Sequence, residues 1–301
     1  MASRPSRLVP RWFPLTGLLA LAFVCASAFA LFVSDARRPI TASTGELRIW
    51  LLDVGQGDAI FIETPGHSQI LVDGGPDDAV LVKLGELMPP TDRTLEGLVS
   101  THPDADHVSG LVSVLDRYDV TTIFETGLTK DTKVARAYAE AVMSEAAERR
   151  AVKAGDRFSY DGVEFHVLWP DARYDGKGVS EPNRAGIVLL VRYGETSVLL
   201  TADTEAKEEA SYGARAGDVD VLKAGHHGSR TSSSRPFLLS VTPEFAVISC
   251  GEDNRYGHPH EDVLARFADL GIRVFRTDQH GEILIRSGGG EPTVEPAPLP
   301  F

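Results

Sequence analysis

The stretch T-H-P-D-A-D-H-V-S-G at residues 101–110 carries the strongest functional signal in the chain. It follows the apolar residues 98–99, which are typical of the end of a buried strand, and from Val108 onward apolar residues recur at helical spacing. Between them lie four side chains of the kind that bind metal ions: His102, Asp104, Asp106 and His107.

The spacing of these four residues predicts a hydrolytic metal site. Residues i and i+2 of an extended segment point the same way, so His102 and Asp104 can face one cation. The chain then turns into a helix, so Asp106 and His107 can face a second cation. Two adjacent cations produce hydroxide near neutral pH and stabilise a developing oxyanion. Any one of these residues could instead be a surface histidine or a helix cap, but all four at this spacing favour a metal site.

Composition indicates an ordinary globular protein. The 301 residues are 43% hydrophobic and 24% charged, which allows one large domain or two small ones. The net charge of −13 disfavours an extended, sequence-independent grip on nucleic-acid phosphates, although it is compatible with a local basic groove. Only Cys250 lies outside the amino-terminal apolar segment, so an internal disulfide or a cysteine-based zinc site is excluded there.

The amino terminus predicts a membrane segment. Residues 12–33 are almost uncharged and apolar, with arginines on both sides, and about 20 such residues span a bilayer. A cleaved signal peptide is the alternative, because residues 26–28 and 28–30 both fit a small-x-small cleavage site. We therefore expect a transmembrane anchor or signal peptide at 1–34 and a linker at 35–45. The main domain would lie outside the cytoplasmic membrane, either tethered by one span or secreted or periplasmic after cleavage.

Further polar residues stand where predicted strands end. Asp203 closes the apolar run 197–202, and the pair His226 and His227 follows the predicted strand 219–224. A histidine changes charge near neutral pH, so the pair suits a metal ligand or a general acid, and spacing does not decide which of the two faces the metals. The loop N-R-Y-G-H-P-H at 254–260 adds two more histidines.

The stretch 101–110 resembles the H-x-H-x-D-H signature of the metallo-β-lactamase superfamily, with Asp104 replacing the middle histidine. This form, together with D-V-G-Q-G-D at 53–58, L-K-A-G-H-H-G-S at 222–229 and the loop 254–260, resembles the soluble domain of ComEC/Rec2-type competence proteins. The resemblance covers residues 46–287. It implies an α/β protein with a four-layered αββα sandwich. Residues 288–301, rich in Gly and Pro, are predicted to be a disordered tail.

The resemblance also implies roles for the site residues. One ion would be held by Asp106, His107 and a histidine from His226, His227 or His258, and the other by His102 and Asp104. Asp203, in a T-A-D version of the family's T-G-D motif, would bridge the two ions. The residues expected to carry the chemistry are Asp106, His226, His227 and His258. Those expected to orient ligands or contact substrate are Gln56, Asp73, Asn183, Lys223, Ser229 and His260.

Two departures from the family pattern bear on the metal. Asp104 stands where the signature has a histidine, and Asn183 stands where many members have a further histidine ligand. Replacing nitrogen by oxygen favours Mn²⁺ or Mg²⁺ more than a histidine-rich zinc site would, with Zn²⁺ as the alternative.

The resemblance implies a metal-dependent hydrolase, and we expect a phosphodiesterase or nuclease acting on single-stranded DNA outside the cytoplasmic membrane. The polytopic channel region of the competence proteins has no counterpart in this sequence, so DNA transport would need a separate channel protein as partner. Two alternatives stay open: a hydrolase of small esters, lactones or cyclic nucleotides, and a non-catalytic binding module that holds metal.

Overall fold

The computed structural model describes residues 45–174, 177–178 and 181–298. The predicted anchor or signal peptide and nearly all of the linker lie outside these described residues. Across the described ranges, none of the helices combines the length and the apolar character needed to cross a bilayer.

Strands and helices alternate along the described chain. The strands are β1 (Leu47–Leu51), β2 (Ile60–Glu63), β3 (Gln69–Val72), β4 (Thr94–Val99), β5 (Asp119–Glu125), β6 (Glu148–Ala151), β7 (Arg157–Tyr160), β8 (Val163–Trp169), β9 (Val188–Tyr193), β10 (Thr196–Leu200), β11 (Val221–Lys223), β12 (Phe245–Ile248), β13 (Arg273–Arg276), β14 (Ile283–Ser287) and β15 (Thr293–Pro296). The α-helices are α1 (Ala79–Leu87), α2 (Ala105–Leu115), α3 (Lys133–Ser144), α4 (Ala206–Ala216), α5 (Arg235–Val241), α6 (Glu261–Asp269) and α7 (Thr277–His280). Short 3₁₀ segments cover Pro182–Ala185 and Gly225–Gly228.

The strands form two mixed sheets. The first has the order β15-β14-β1-β2-β3-β4-β5-β6, and the second has the order β13-β12-β11-β10-β9-β8-β7. Strands β3 to β6 pair in parallel in the first sheet, as do β10 to β13 in the second. Parallel neighbours end at the same edge of a sheet, so the loops that follow β3, β4, β10, β11 and β12 gather the polar residues predicted for the site.

Three apolar clusters define the layers. The central one joins side chains from both sheets, such as Ile62, Val72, Val191 and Val247. A second cluster packs α1, α2 and α3 on the outer face of the first sheet, and a third packs α4, α5 and α6 on the outer face of the second. Each sheet therefore buries both faces, which explains why its central strands are apolar at nearly every position. The predicted α/β sandwich of four layers, αββα, is confirmed.

Two sequence-based expectations about elements are wrong. The stretch 131–150 is rich in Ala, Glu and Arg and contains no Gly or Pro, which predicts a single helix, but the helix ends at Ser144 and Glu148–Ala151 pairs with β5 as an edge strand. The tail predicted to be disordered from residue 288 contains β15, which pairs with β14 and buries Val294. In both cases pairing with an adjacent strand of the sheet outweighs the local composition.

Candidate metal centre

The loop after β4 and the first turn of α2 deliver the first ligands. His107 is fully buried, and its Nδ1 lies 2.8 Å from Oδ2 of Asp73 at the end of β3. Asp73 also accepts hydrogen bonds from the backbone N–H of Thr101 at 2.8 Å and from its hydroxyl at 2.6 Å. Asp73 therefore fixes the metal-binding loop and leaves Nε2 of His107 free to face Asp203, whose Oδ2 is 3.4 Å away.

The second sheet supplies the opposing ligands. Asp203 follows β10 and is buried, and His227 follows β11 and is also buried. The Nδ1 of His227 lies 3.0 Å from the carbonyl oxygen of Ser249, to which it can donate. Its Nε2 then points into the site, 3.5 Å from a carboxylate oxygen of Asp106 and 3.5 Å from one of Asp203.

Asp106, His107, Asp203 and His227 form one candidate metal site. Each offers one ligand atom, and these atoms lie within 4.8 Å of one another. Within the described residues, Nε2 of His107, Nε2 of His227 and Oδ1 of Asp203 are buried without a hydrogen-bond partner. Leaving such atoms unpaired costs about 1–3 kcal/mol each. A divalent cation would satisfy all of them at once, so the donor set fits a metal ion.

The electrostatics of this cluster also favour a cation. Burial lowers the pKa of His227, but Asp203 and Asp58 outweigh it and raise the pKa to about 9. Burial acts in the same way on His107, and Asp203 and Asp73 raise its pKa well above the ordinary value. Burial raises the pKa of Asp203, but His227 and His107 outweigh it and hold this pKa well below its usual range. The buried carboxylates thus stabilise the protonated histidines. A metal ion can replace those protons.

Of the residues predicted for a second ion, the structure brings His102 beside this cluster. Its ring centre is 4.1 Å from that of His107, and its buried Nε2 has no partner among the described residues. Burial and neighbouring His107 lower its pKa to about 4, so the ring is neutral and can act as a ligand. Asp104 instead accepts a hydrogen bond from Nζ of Lys130 at 2.8 Å. Asn183 lies near the site, with Nδ2 3.3 Å from Nε2 of His226.

His226 lies at the edge of the cluster. Its Nε2 is 3.7 Å from Asp203 Oδ2, its Nδ1 is 3.7 Å from a carboxylate oxygen of Glu205, and its side chain is partly exposed. Both His226 and His227 have positive φ, 49° and 54°, a strained conformation for residues other than glycine. Such strain is characteristic of functional loops whose surroundings hold them in place.

The loop 254–260 contributes His258 and His260. The ring centre of His258 is 5.6 Å from that of His226 and 6.3 Å from that of His227. Burial, with His227 and His226, lowers its pKa to about 4. Nδ1 of His260 accepts a hydrogen bond from the backbone N–H of Arg230 at 3.2 Å. The structure therefore places His258 at the mouth of the site and gives His260 a role in joining two loops.

The remaining predicted residues support the loops. Lys223 is buried and forms an ion pair with Asp58, whose Oδ1 is 3.5 Å from Nδ1 of His227. Oε1 of Gln56 accepts from the backbone N–H of Gly251 at 3.2 Å, which ties the loop after β1 to the loop after β12. The Ser229 hydroxyl lies 3.0 Å from that of Thr231.

Sequence reasoning missed Asp58 and Lys130. Asp58 ends the motif D-V-G-Q-G-D, and its position as the last acidic residue of a glycine loop was a signal that could have marked it. Lys130 has no local signal, because it meets Asp104 only through the arrangement of the strands.

This fold and this site define the class of protein. The chain belongs to the metallo-β-lactamase superfamily, whose family model matches residues 52–252. It is 33% identical to ComE operon protein 3 of Bacillus subtilis over 285 residues, covering 87% of this chain and 35% of that protein. It is 34% identical to Recombination protein 2 of Haemophilus influenzae over 242 residues, covering 78% of this chain and 28% of that protein. The predicted resemblance to competence proteins of the ComEC type is confirmed.

The chain spans about a third of the length of these curated relatives. Among solved structures, the metallo-β-lactamase fold protein YhfI from Bacillus subtilis superposes with a TM-score of 0.55 at 12% identity, covering 81% of this chain and all of that one. At this level of identity the likeness concerns the fold.

Proposed function

We propose that this chain is a metal-dependent phosphodiesterase that cleaves single-stranded DNA outside the cytoplasmic membrane. The observation that carries the proposal is the buried cluster of Asp106, His107, Asp203 and His227 with its unpaired ligand atoms. One of the relatives, Recombination protein 2, is named for recombination, a process in which DNA is handled.

The residues have distinct roles in this proposal. Asp106, His107, Asp203 and His227 would hold one divalent cation, and His102 would hold a second beside it. Mn²⁺ suits this mixture of carboxylate and imidazole ligands, and Mg²⁺ and Zn²⁺ are the competing ions. Bound cations supply the positive charge that activates water and neutralises charge developing on the phosphate.

His226 is the proposed proton donor to the leaving oxygen. It is partly exposed and lies 3.7 Å from carboxylate oxygens of Asp203 and Glu205, so substrate can reach it at the edge of the metal cluster. His258 has a lowered pKa and is neutral at pH 7, so it suits a ligand or hydrogen-bond acceptor at the mouth of the site better than an acid.

The location is part of the proposal. Residues 12–33 would anchor the protein as a single span, or residues 1–34 would be removed as a signal peptide, and a separate channel protein would carry DNA across the membrane.

The direct test uses the full chain in detergent, loaded separately with Mn²⁺ and Zn²⁺. Bis-p-nitrophenyl phosphate and labelled single-stranded DNA are the substrates, and the Asp106→Ala variant is the control. We expect metal-dependent cleavage of both substrates and its loss in the variant. A folded, metal-loaded protein that cleaves neither substrate would refute the proposal and leave small-ester or lactone hydrolysis, or binding alone, as the function.

A further inference from the structure

A cavity of about 480 Å³ lies at the carboxyl ends of β5 and β6, beside the loop that carries His102 and Asp104. Its wall includes Pro103, which lies between His102 and Asp104 in the chain, and Lys130, whose ammonium group bonds Asp104. The opposite wall is one face of α3. This volume falls in the range of roughly 300–1,000 Å³ that is usual for small-molecule sites.

The cavity combines an apolar wall with a cationic rim. Leu128, Ala139 and Val142 contribute apolar surface, and Lys130, Arg136 and Arg149 contribute positive charge, against one lining carboxylate, Glu125. The chain as a whole has a net charge of −13, so the charge of this lining is opposite in sign to that of the whole chain. A ligand with a flat apolar part and an anionic part matches such a lining.

The positively charged side chains of the cavity differ in the strength of the ion pairs that they already form. Arg149 donates twice to one oxygen of Glu125, through Nε at 3.2 Å and Nη2 at 2.6 Å. The partner of Arg136 is Asp131, whose side chain is 93% exposed, and an ion pair so open to water contributes little. Arg136 can therefore exchange its partner for a phosphate, and Lys130 connects the cavity lining to the metal-binding loop through its bond to Asp104.

We propose that this cavity binds the nucleotide unit next to the phosphodiester bond that is cleaved. The base lies against the apolar wall formed with α3, and its phosphate is bound by Arg136 and Lys130. The proposal rests on the proposed function, since it assigns the substrate of the same site to the nucleotides. It also explains how an acidic protein can hold DNA, because recognition is confined to one pocket instead of a long basic surface.

The test fills the cavity without disturbing the core. Ala139 is an exposed residue of α3 that lines the cavity, so Ala139→Trp adds bulk inside it and removes no buried atom. Binding of deoxyadenosine monophosphate to the Mn²⁺-loaded full chain is measured by isothermal titration, alongside kcat/KM for bis-p-nitrophenyl phosphate and KM for single-stranded DNA. We expect the variant to weaken nucleotide binding and raise the KM for DNA by about tenfold or more. The kcat/KM for bis-p-nitrophenyl phosphate should stay unchanged.

Two comparisons make the result specific. Met143→Trp places the same side chain on α3 at a residue that is 76% exposed and does not line the cavity, so it should leave nucleotide binding unchanged. Arg136→Ala should weaken binding of the nucleotide and of inorganic phosphate alike.

The cavity proposal is overturned if Ala139→Trp binds the nucleotide as tightly as the native chain, or if inorganic phosphate binds as tightly as the nucleotide. If the native chain cleaves neither bis-p-nitrophenyl phosphate nor single-stranded DNA, the proposed function falls, and the titration still decides whether the cavity takes a nucleotide.

Discussion

Asp73 organises the metal-binding loop although it is not among the four clustered ligands. It accepts hydrogen bonds from two groups of Thr101 and from Nδ1 of His107, all within a buried pocket. A carboxylate in this position sets the tautomer of the histidine and strengthens it as a ligand. The histidine is thus held in a ligand geometry before any ion arrives.

Replacing Asp73 by Ala should therefore weaken metal binding by about 10–100-fold. The loss follows because His107 would lose its orienting partner while all four ligands stay in the chain. Titration of the metal-free protein with Mn²⁺ measures the change, and Asp73→Asn, which keeps one acceptor oxygen, should fall between the native protein and the alanine variant. Equal affinity in all three proteins would contradict the role assigned to Asp73.

The raised pKa of His227 predicts how the metal-free protein responds to pH. The group has a pKa of about 9 in the folded protein against 6.5 as the ordinary value, so the folded state binds its proton more tightly. The resulting stabilisation, on the order of 3 kcal/mol, is fully present below pH 6.5 and is lost as the pH rises to 9. The Tm of the metal-free protein should fall across this range.

Saturating Mn²⁺ should remove this fall, because the metal binds the deprotonated ring. A His227→Gln variant without metal should show a smaller fall between pH 6.5 and 9, and the remaining fall is due to His107, whose pKa is also raised. A metal-free Tm that rises over the same range would show that His227 is not protonated in the native state.

Much of the candidate site could be predicted from local sequence, and one part could not. The spacing of the His and Asp residues in 101–110 predicts that they are metal ligands. The resemblance of the motifs around Asp203 and His227 to the family adds further ligands. Asp104 was expected to face an ion, but the structure holds it against Lys130, 26 residues further along the chain. That contact depends on where the loop after β5 lies, which no local pattern encodes.

At the scale of elements, α2 is placed by a close approach of backbone to backbone. A Cβ added at Gly110 would lie 2.0 Å from the carbonyl oxygen of Gly74 and 2.5 Å from that of Asp77. The N–H of Gly110 also donates to the carbonyl oxygen of Gly75 at 3.2 Å. The absence of a side chain at Gly110 thus allows the helix that carries His107 to reach the loop after β3.

The Gly110→Ala substitution should destabilise the fold by about 3 kcal/mol or more, because backbone on both sides must move. Gly85 in α1 offers a matched control, since a Cβ there meets nothing within 4 Å. Gly85→Ala should stabilise by roughly 0.5–1 kcal/mol through helix propensity alone. Urea unfolding of both variants measures the difference, and two changes of the same sign would contradict the close-packing argument.

Element types were predictable where apolar runs are long and bounded by turns. The strand β12, expected at 245–250, begins at the expected residue and ends at Ile248, because burial on both faces makes its sequence almost continuously apolar. The apolar run before residue 101 indicated only the end of β4, which begins at Thr94. The edge strand β6 was not predictable, since Glu148, Arg149 and Arg150 favour solvent and have no apolar alternation. It forms a strand because it pairs with β5, and no pattern in its own sequence indicates this pairing.

At the scale of the whole molecule, the end of the chain completes the first sheet. β14 pairs with β1, and β15 covers the outer side of β14 with Val294 only 8% exposed. The part of the predicted tail that forms β15 therefore belongs to the folded unit.

Removing residues 290–301 should destabilise the protein by at least the roughly 1.5–3 kcal/mol that burying one valine contributes, because β14 would also lose its pairing partner. Chemical unfolding of the shortened chain measures the change. Shortening at residue 298, which leaves β15 intact, is the control and should have no effect. Equal stability of all three chains would mean that β15 adds nothing to the sheet.

The origin of the metal ligands has a consequence for the assembly of the fold. Asp106 and His107 follow a strand of the first sheet, whereas Asp203 and His227 follow strands of the second. An ion held by all four would add a further link between two layers that the Lys223–Asp58 ion pair and the hydrogen bond from Gly251 to Gln56 already join at this edge. Such an ion would act as a reversible cross-link, which a chelator would remove and dialysis against metal would restore. Its contribution to the free energy of unfolding would follow the free metal concentration as RT ln(1 + [M]/Kd). Where the supply of transition metals varies, the rigidity of this edge would vary with it.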